Sequence, residues 1–189
     1  LEAEDVAAAK AALDRLARVK PNSIDEAALR AAVAYKESGL DAAEAAATRV
    51  NAIVPLSSLG YRIAGEQAAR QYRFDDAAAL AKKAVGIDAS DPLAQFDLGL
   101  YLMRTGDEAS ARAALETSWD LDKSAPMTKN LLDLLDHLDT FVVVPHNDFI
   151  FKFAKEEAAV LQVYALPLAD EAYRQYTQRY GITPKGPIL

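Results

Sequence analysis

Histidine, cysteine and paired carboxylates carry most catalytic and metal-binding chemistry in proteins, and this sequence offers few of them in useful positions. It has two histidines, His137 and His146, and no cysteine. A zinc site would therefore depend on carboxylates, although zinc prefers His and Cys ligands. No histidine stands in a pattern that indicates a nucleophile and its base. Gly-Ile-Thr-Pro-Lys-Gly at 181–186 lacks the Gly-Lys-Ser/Thr ending of a phosphate-binding loop. We expect no catalytic residue, no metal site and no cofactor.

The densest group of candidate ligands lies on one predicted helix and has a simpler interpretation. Its members are Asp133, Asp136, His137 and Asp139. An apolar stripe at helical spacing runs along the same segment, formed by Leu131, Leu134, Leu135 and Leu138. Because an amphipathic helix needs a polar face, we interpret the four ligand-type residues as solvated. We interpret His146 as a solvent-facing residue of a turn.

Apolar and small residues recur at a fixed spacing of about 34 residues, which is typical of a helical solenoid. We call this spacing one repeat. In this register one column holds only alanine and three others are mainly aliphatic. The columns are Ala9, Ala43, Ala77 and Ala111; Leu13, Ala47, Ala81 and Leu115; Leu16, Val50, Ala84 and Ser118; and Val19, Ile53, Ile87 and Leu121. Small residues let the neighbouring helix approach closely, and we expect the aliphatic columns to fill the seam between helices.

Cap and turn residues divide the repeats into helix pairs. Ser23 or Asp25 is a suitable start for one first helix, and Asp91-Pro92 is a suitable start for another. Asp41 is suited to cap a second helix, and Leu59–Tyr72 is predicted to form one first helix. The best-formed turn between two helices is Gly106-Asp107.

This pattern resembles the tetratricopeptide repeat (TPR) family. The copy that carries it best has Leu98-Gly99, Gly106-Asp107, Ala111, Leu115 and Leu121-Asp122. The resemblance implies a mainly α fold, a right-handed solenoid of helical hairpins. We expect it over residues 1–139, with a half repeat at 4–21, repeats at 24–55, 58–89 and 92–123, and a closing helix at 126–139.

The composition changes after residue 140, where aromatic residues replace alanine. Phe141–Val144 and Phe149–Phe153 flank turn-like residues 145–148, which predicts a β-hairpin. A helix follows over about residues 155–180, with a kink or break at Pro167 and a stop at Gly181. Pro187-Ile188-Leu189 is typical of the start of a strand.

Hairpin, long helix and strand in this order resemble the leading edge of gluzincin-type zinc peptidases of the peptidase MA clan. The family's His-Glu-x-x-His motif is absent from the sequence. The resemblance therefore implies, as an alternative, that residues 1–189 are the non-catalytic part of a larger metallopeptidase. The chain starts at Leu1 in the register of a second helix, so we interpret it as a piece of a longer protein and leave its compartment open.

Charge and hydropathy limit the classes of partner that the chain can bind. Residues 1–140 carry 23 acidic and 16 basic residues, whereas residues 141–189 carry 5 of each. An acidic solenoid disfavours binding to the nucleic acid backbone. No stretch is apolar over the roughly 18 residues that a membrane span needs. We expect a protein or peptide partner. The alternative is a structural spacer or a self-association surface, with self-association possible through residues 141–189.

The TPR resemblance implies a binding groove on the concave face, lined by particular positions of the first helices. Those positions hold Tyr35, Lys36, Arg62, Glu66, Arg70, Phe96, Leu100, Met103 and Arg104. Lys36, Arg70 and Arg104 lie one repeat apart and predict a row of cations suited to an acidic peptide or a free carboxylate. The alternative is that these positions are basic only to remain hydrated. The asparagines with which some family members clamp a carboxylate are absent from these mapped positions.

Overall fold

The computed structural model describes residues 6–184 and 186–188, and its two compact units divide between Leu132 and Asp133. Predicted domains of 1–139 and 140–189 place the boundary later and stay a prediction. Eight helices come first: α1 Val6–Val19, α2 Ile24–Ser38, α3 Leu40–Ile53, α4 Leu59–Arg70, α5 Phe74–Ile87, α6 Pro92–Thr105, α7 Glu108–Leu121 and α8 Pro126–Leu138. They are followed by β1 Val142–His146, β2 Phe149–Phe153 and α9 Ala158–Tyr180. The predicted start of the first helix at residue 4 lies outside the described residues.

In the N-terminal unit the helices form consecutive pairs, α2 with α3, α4 with α5 and α6 with α7. Each first helix starts beside a polar side chain at the same repeat position. The side chains of Ser23, Ser57 and Asp91, one repeat apart, accept hydrogen bonds from backbone N–H groups of the first turn. Such bonds satisfy donors that the helix itself leaves unpaired.

The second helices also end in the same way, at positions that lie one repeat apart. Val54, Asp88 and Asp122 leave the helix with extended backbones, at φ of −129°, −140° and −139°. After α5 and α7 the Asp side chain accepts hydrogen bonds from the backbone and hydroxyl of a serine two residues on. The period is therefore present in the backbone as well as in the sequence.

The predicted alanine column is confirmed in the three complete pairs. Ala43, Ala77 and Ala111 are each the fourth residue of their helix, and each is 0% exposed. Ala9 occupies the fourth described position of α1 and is half-buried, since no first helix of its own pair covers it in the described residues. Another predicted column, Leu13, Ala47, Ala81 and Leu115, is buried throughout.

The fourth column is only partly buried, which corrects the prediction that it fills the seam. Ile53 and Ile87 are half-buried, whereas Val19 is 85% and Leu121 is 44% exposed. Ile53 and Ile87 lie between two complete pairs, so helices cover them from both sides. Val19 and Leu121 lie at the ends of the stack of pairs, where cover comes from one side only.

Three local predictions for helices α3, α4 and α8 are wrong. Asp41 does not cap α3: Gly39, with φ of 81°, occupies the cap and links α2 directly to the next helix. Tyr72 is not helical, because α4 ends at Arg70 and Tyr72 has φ of 58°. In α8, Leu134 is 43% exposed and Leu132 is buried in its place. Thr128, Leu132 and Leu135 form the buried face, at helical spacing but in a register different from the predicted stripe.

The C-terminal unit contains the predicted β-hairpin with a shorter turn. Antiparallel pairing of β1 and β2 runs from Val142 opposite Phe153 to His146 opposite Phe149. The turn is Asn147-Asp148, with Asn147 at φ of 48°, so Pro145 and His146 belong to the strand. Two-residue turns with positive φ match the twist of a hairpin, and asparagine tolerates that conformation.

Two further elements complete this unit. The backbone N–H of Ile150 donates to Ile188 O at 2.9 Å, which makes residue 188 a short parallel bridge to β2; the rest of the predicted strand, Leu189, lies outside the described residues. Helix α9 runs unbroken through Pro167, which contradicts a break there, whereas the alternative of a kink stays a prediction. Pro167 is exposed, and water can therefore hydrate the carbonyl that loses its helical donor. Gly181 ends α9 with φ of 64°, as predicted.

Candidate functional site

The surface that we call the first-helix face consists of the side chains of α2, α4 and α6 that point away from the second helices. Four of the nine predicted groove residues meet there around one cavity of about 410 Å³: Glu66, Arg70, Leu100 and Arg104. Ala69, Phe74 and Tyr101 complete its lining. The cavity lies between consecutive pairs, with α4 on one side and α6 on the other.

Two arginines give this cavity its charge, and aromatic and aliphatic side chains give it an apolar wall. The guanidinium of Arg104 lies over the ring of Phe74, 5.8 Å from its centroid. Arg70 donates to Glu66 Oε1 at 2.8 Å, and both side chains are about half exposed. Such exposed pairs within one helix are weak and can exchange partners. The cavity can therefore present cations beside apolar surface.

Arg62 lies deeper, in a polar cluster that connects α4 to α6. Its Nε donates to Asp97 Oδ2 at 2.8 Å, and its Nη1 lies 3.8 Å from Asp91 Oδ2. Ser58 donates to the same Asp91 oxygen. Burial raises the pKa of Asp97 to about 6, against the opposing effect of Arg62. Desolvation thus outweighs the ion pair, as is common for buried carboxylates.

Tyr35 does not line the cavity, which corrects its predicted place in the groove. Its side chain is 4% exposed, and its hydroxyl donates to Asp76 Oδ2 at 2.6 Å. Burial, followed by this hydrogen bond, raises the pKa of Tyr35 well above its usual range. The tyrosine ring reaches the next pair and packs between helices, whereas the predicted groove positions imply an exposed side chain.

The remaining predicted residues are also dispersed. Phe96 lines a separate cavity of about 200 Å³ with residues of α7 and the first turn of α8. Met103 packs against the hydrophobic core. Lys36 is half-buried and is not part of the lining around Arg70 and Arg104. The cavity therefore contains only two of the three cations in the predicted row.

Three important residues were missed by the sequence reasoning. Phe74 is the first residue of a second helix, whereas all the predicted groove positions are in first helices. Tyr101 and Asp97 are on α6, at positions that were not among the predicted groove positions. Burial raises the pKa of Tyr101 above its usual range. Spacing alone gives no signal for these residues, because their repeat equivalents differ in type.

The ligand-type residues of α8 and the hairpin are not arranged as a metal centre. Asp133, Asp136, His137 and Asp139 are exposed, as a solvated face requires. Within residues 6–184 and 186–188, no group of three or more His, Asp or Glu side chains could hold a metal ion. His146 is not a solvent-facing turn residue: it lies on β1, and its Nε2 is 2.8 Å from Asp170 Oδ2 of α9. Hydrogen bonds from Asn147 and His146 lower the pKa of Asp170.

Comparison with known proteins gives matches in structure only. No family model and no curated protein matches the chain. The structure of Pseudomonas aeruginosa pilF matches 71% of this chain and 61% of its own, with 21% identity and a TM-score of 0.51. The Sgt2 TPR domain from Aspergillus fumigatus matches 90% of both chains, with 16% identity and a TM-score of 0.49. The first TPR of Spaghetti (RPAP3), bound to the HSP90 peptide SRMEEVD, matches 60% of this chain and 93% of its own, with 16% identity and a TM-score of 0.49.

The internal geometry of the N-terminal unit decides the fold class. Three consecutive helix pairs repeat at one fixed spacing, with equivalent caps, buried alanines and helix ends. The fold is TPR-like. The predicted mainly α fold with a hairpin and a final long helix is confirmed. These structural matches give no support to the gluzincin-type resemblance of residues 140–189. None of the helices in the described part of the chain is long and apolar enough to cross a membrane.

Proposed function

We propose that the TPR-like region is a non-catalytic interaction module whose first-helix face binds a peptide or a partner protein. The observation that carries this proposal is the cavity of about 410 Å³ at Arg70, Leu100 and Arg104. Specific binding pockets combine apolar surface with a few polar groups that fix orientation, and this cavity offers both.

The chemistry of the lining indicates how a peptide would be held. Phe74 and Leu100 can cover an apolar side chain, while Arg70 and Arg104 can donate charge-assisted hydrogen bonds to carboxylates. Arginine suits this role because its planar guanidinium binds carboxylates with two parallel hydrogen bonds. A ligand carboxylate would displace Glu66 from Arg70, which is a small loss because that pair is exposed.

A charge-reversal experiment tests the proposal. Partners are captured from a lysate on the immobilised wild type and identified, and their affinities are then measured with purified components. The double variant Arg70→Glu and Arg104→Glu should weaken binding at least tenfold, because the cavity would repel an acidic ligand. The double variant Arg49→Glu and Lys82→Glu changes the net charge equally, at exposed positions of α3 and α5, and serves as the control.

Unchanged affinity in the Arg70 and Arg104 variant would contradict a binding role for the cavity and favour the alternative that these arginines only remain hydrated. Equal weakening in both double variants would indicate a general charge effect. The metallopeptidase alternative receives no support from the comparisons.

A further inference from the structure

Asp97 and Arg62 are a largely but not fully buried charged pair at the junction of two helix pairs. The side chain of Asp97 is 16% exposed and that of Arg62 is 19% exposed. They join α6 to α4 through a hydrogen bond of 2.8 Å from Arg62 Nε to Asp97 Oδ2. Asp91, at the cap of α6, shares the same guanidinium and is also 16% exposed. Two carboxylates therefore compete for one cation in a site with little water.

Such a site favours uptake of a proton. Burial penalises the ionised form of Asp97, and the negative charges of Asp91 and Glu66 add to that penalty. Arg62 opposes both effects by its charge and its hydrogen bond. The balance raises the pKa of Asp97 to about 6. A proton is therefore taken up in the range between neutral and mildly acidic pH.

The pair also borders the proposed binding cavity. Glu66 and Tyr101 line that cavity, and both interact electrostatically with Asp97. On α4 the charged groups that face Asp97 are Arg62 and Glu66, and on α6 they are Asp91 and the titratable Tyr101. A change in the charge of Asp97 therefore changes the electrostatic potential at Arg70 and Glu66, where a ligand would bind.

We propose that Asp97 is a proton-sensitive contact that regulates the first-helix face: when it is protonated, one negative charge is lost from beside the cavity and the packing of α6 on α4 becomes more stable. The effect on a ligand rests on the proposed function, whereas the titration and the packing do not. An acidic ligand binds more tightly as the pH falls, because one repulsive charge disappears from beside the cavity. At the effective dielectric of a protein surface, and with screening by about 0.1 M salt, a unit charge at roughly 10 Å changes affinity about two- to fourfold.

Linkage fixes the direction of the change in stability. The pKa of Asp97 is higher in the folded chain than its ordinary value of 3.8. The neutral form therefore contributes stability that is fully present below about pH 4 and is lost as the pH rises through about 6. Asp97→Asn keeps the shape of the neutral carboxyl and removes the titration. Glu116→Gln removes an exposed carboxylate in the middle of α7 and is the matched control.

The titration is tested by carboxyl-carbon NMR of the wild type from about pH 3 to about pH 8. The resonance that is missing in Asp97→Asn is expected to titrate near pH 6, and amide exchange in α4 and α6, corrected for intrinsic rates, should be slower at about pH 5 than at about pH 7.5. The control variant Glu116→Gln should retain both the titration of Asp97 and the slower amide exchange at the lower pH. Titration of Asp97 near pH 4 overturns the proposal, as does a pH effect on α4 and α6 that persists in Asp97→Asn. If Asp97→Asn fails to fold, Asp97 is assigned by selective labelling in the wild type.

The effect on binding is measured with a hexa-aspartate peptide, whose carboxylates stay largely ionised at about pH 5. The wild type should bind it about two- to fourfold more tightly at about pH 5 than at about pH 7.5, and Asp97→Asn should show no such difference. Equal dependence on pH in both proteins overturns regulation by Asp97. If the peptide binds neither protein while Asp97 titrates near pH 6, the proton-sensitive contact stands and the proposed acidic-ligand function fails.

Discussion

Tyr72 and Gly106 occupy the same position in consecutive helix pairs, one repeat apart, and both have left-handed backbones, with φ of 58° and 85°. The backbone N–H of the next residue makes an equivalent hydrogen bond in each pair, from Arg73 to Ala68 O and from Asp107 to Leu102 O, both at 3.0 Å. The turn therefore has one geometry with two very different side chains. Glycine adopts this conformation without strain, whereas a residue with a Cβ does not.

Replacing Tyr72 by glycine should stabilise the chain. Relief of left-handed strain contributes about 1–2 kcal/mol, and the greater freedom of glycine in the unfolded chain takes back part of it. Tyr72 is 83% exposed and its ring makes an edge contact with Phe74, so little packing is lost. Urea unfolding should show a gain of about 0.5–1 kcal/mol. Loss of stability would show that the two turns are not equivalent, and Gly106→Ala should be destabilising in the same assay.

Alanine at Gly99 should destabilise the contact between α6 and α7. A Cβ at this position would lie 2.5 Å from Cγ of Leu115 and 3.1 Å from the carbonyl of Ala111. Overpacking of this kind costs about 1–3 kcal/mol. Gly86→Ala in α5 is the control, because a Cβ added there would have no neighbouring heavy atom within 4 Å. That variant should gain about 0.5–1 kcal/mol from helix propensity alone. A neutral Gly99→Ala variant would contradict the close packing of this pair.

Tyr35→Phe separates the structural role of this residue from a binding role. Loss of the hydroxyl removes the 2.6 Å hydrogen bond to Asp76, whose ion pair with Arg73 is longer at 3.7 Å, and the free energy of unfolding should fall by about 1–2 kcal/mol. Partner affinity should not change, since the ring is buried away from the cavity. Weaker binding by a variant that remains fully folded would show that Tyr35 contributes to partner binding.

Self-association through residues 141–189 stays a prediction, and exposed apolar residues on α9 motivate it. Val163, Tyr164 and Leu168 are 67%, 70% and 70% exposed. Exposed apolar groups of this size often mark contact surfaces. Light scattering should show a mass that increases with concentration in the wild type and a monomer in Val163→Glu with Leu168→Glu. A constant monomer in both proteins would exclude self-association over the range measured.

The sequence predicts those parts of the fold that depend on recurring small and apolar residues. Ala43, Ala77 and Ala111 define the pairs, because only a small side chain fits where the helices approach. Tyr72 was misassigned because a non-glycine residue carries no sign of left-handed backbone. His146 was misassigned because turn-type residues continue into the strand, and the hairpin closes with two residues instead of four.

The candidate site was less predictable than the fold. A map of first-helix positions identifies Arg70, Leu100 and Arg104, which the structure brings together. It also includes Tyr35, since the map cannot show that this ring reaches Asp76 of another pair. Side-chain reach and burial decide such cases, and both depend on neighbours that are distant in the sequence.

The most direct test is hydrogen exchange measured on the complex with the partner that the capture experiment identifies. Peptides that cover residues 62–70 of α4 and 96–104 of α6 should exchange more slowly in the complex than in the free chain, and peptides of α3 and α7 should not change. Protection confined to the second helices, or to residues 141–189, would contradict recognition through the first-helix face.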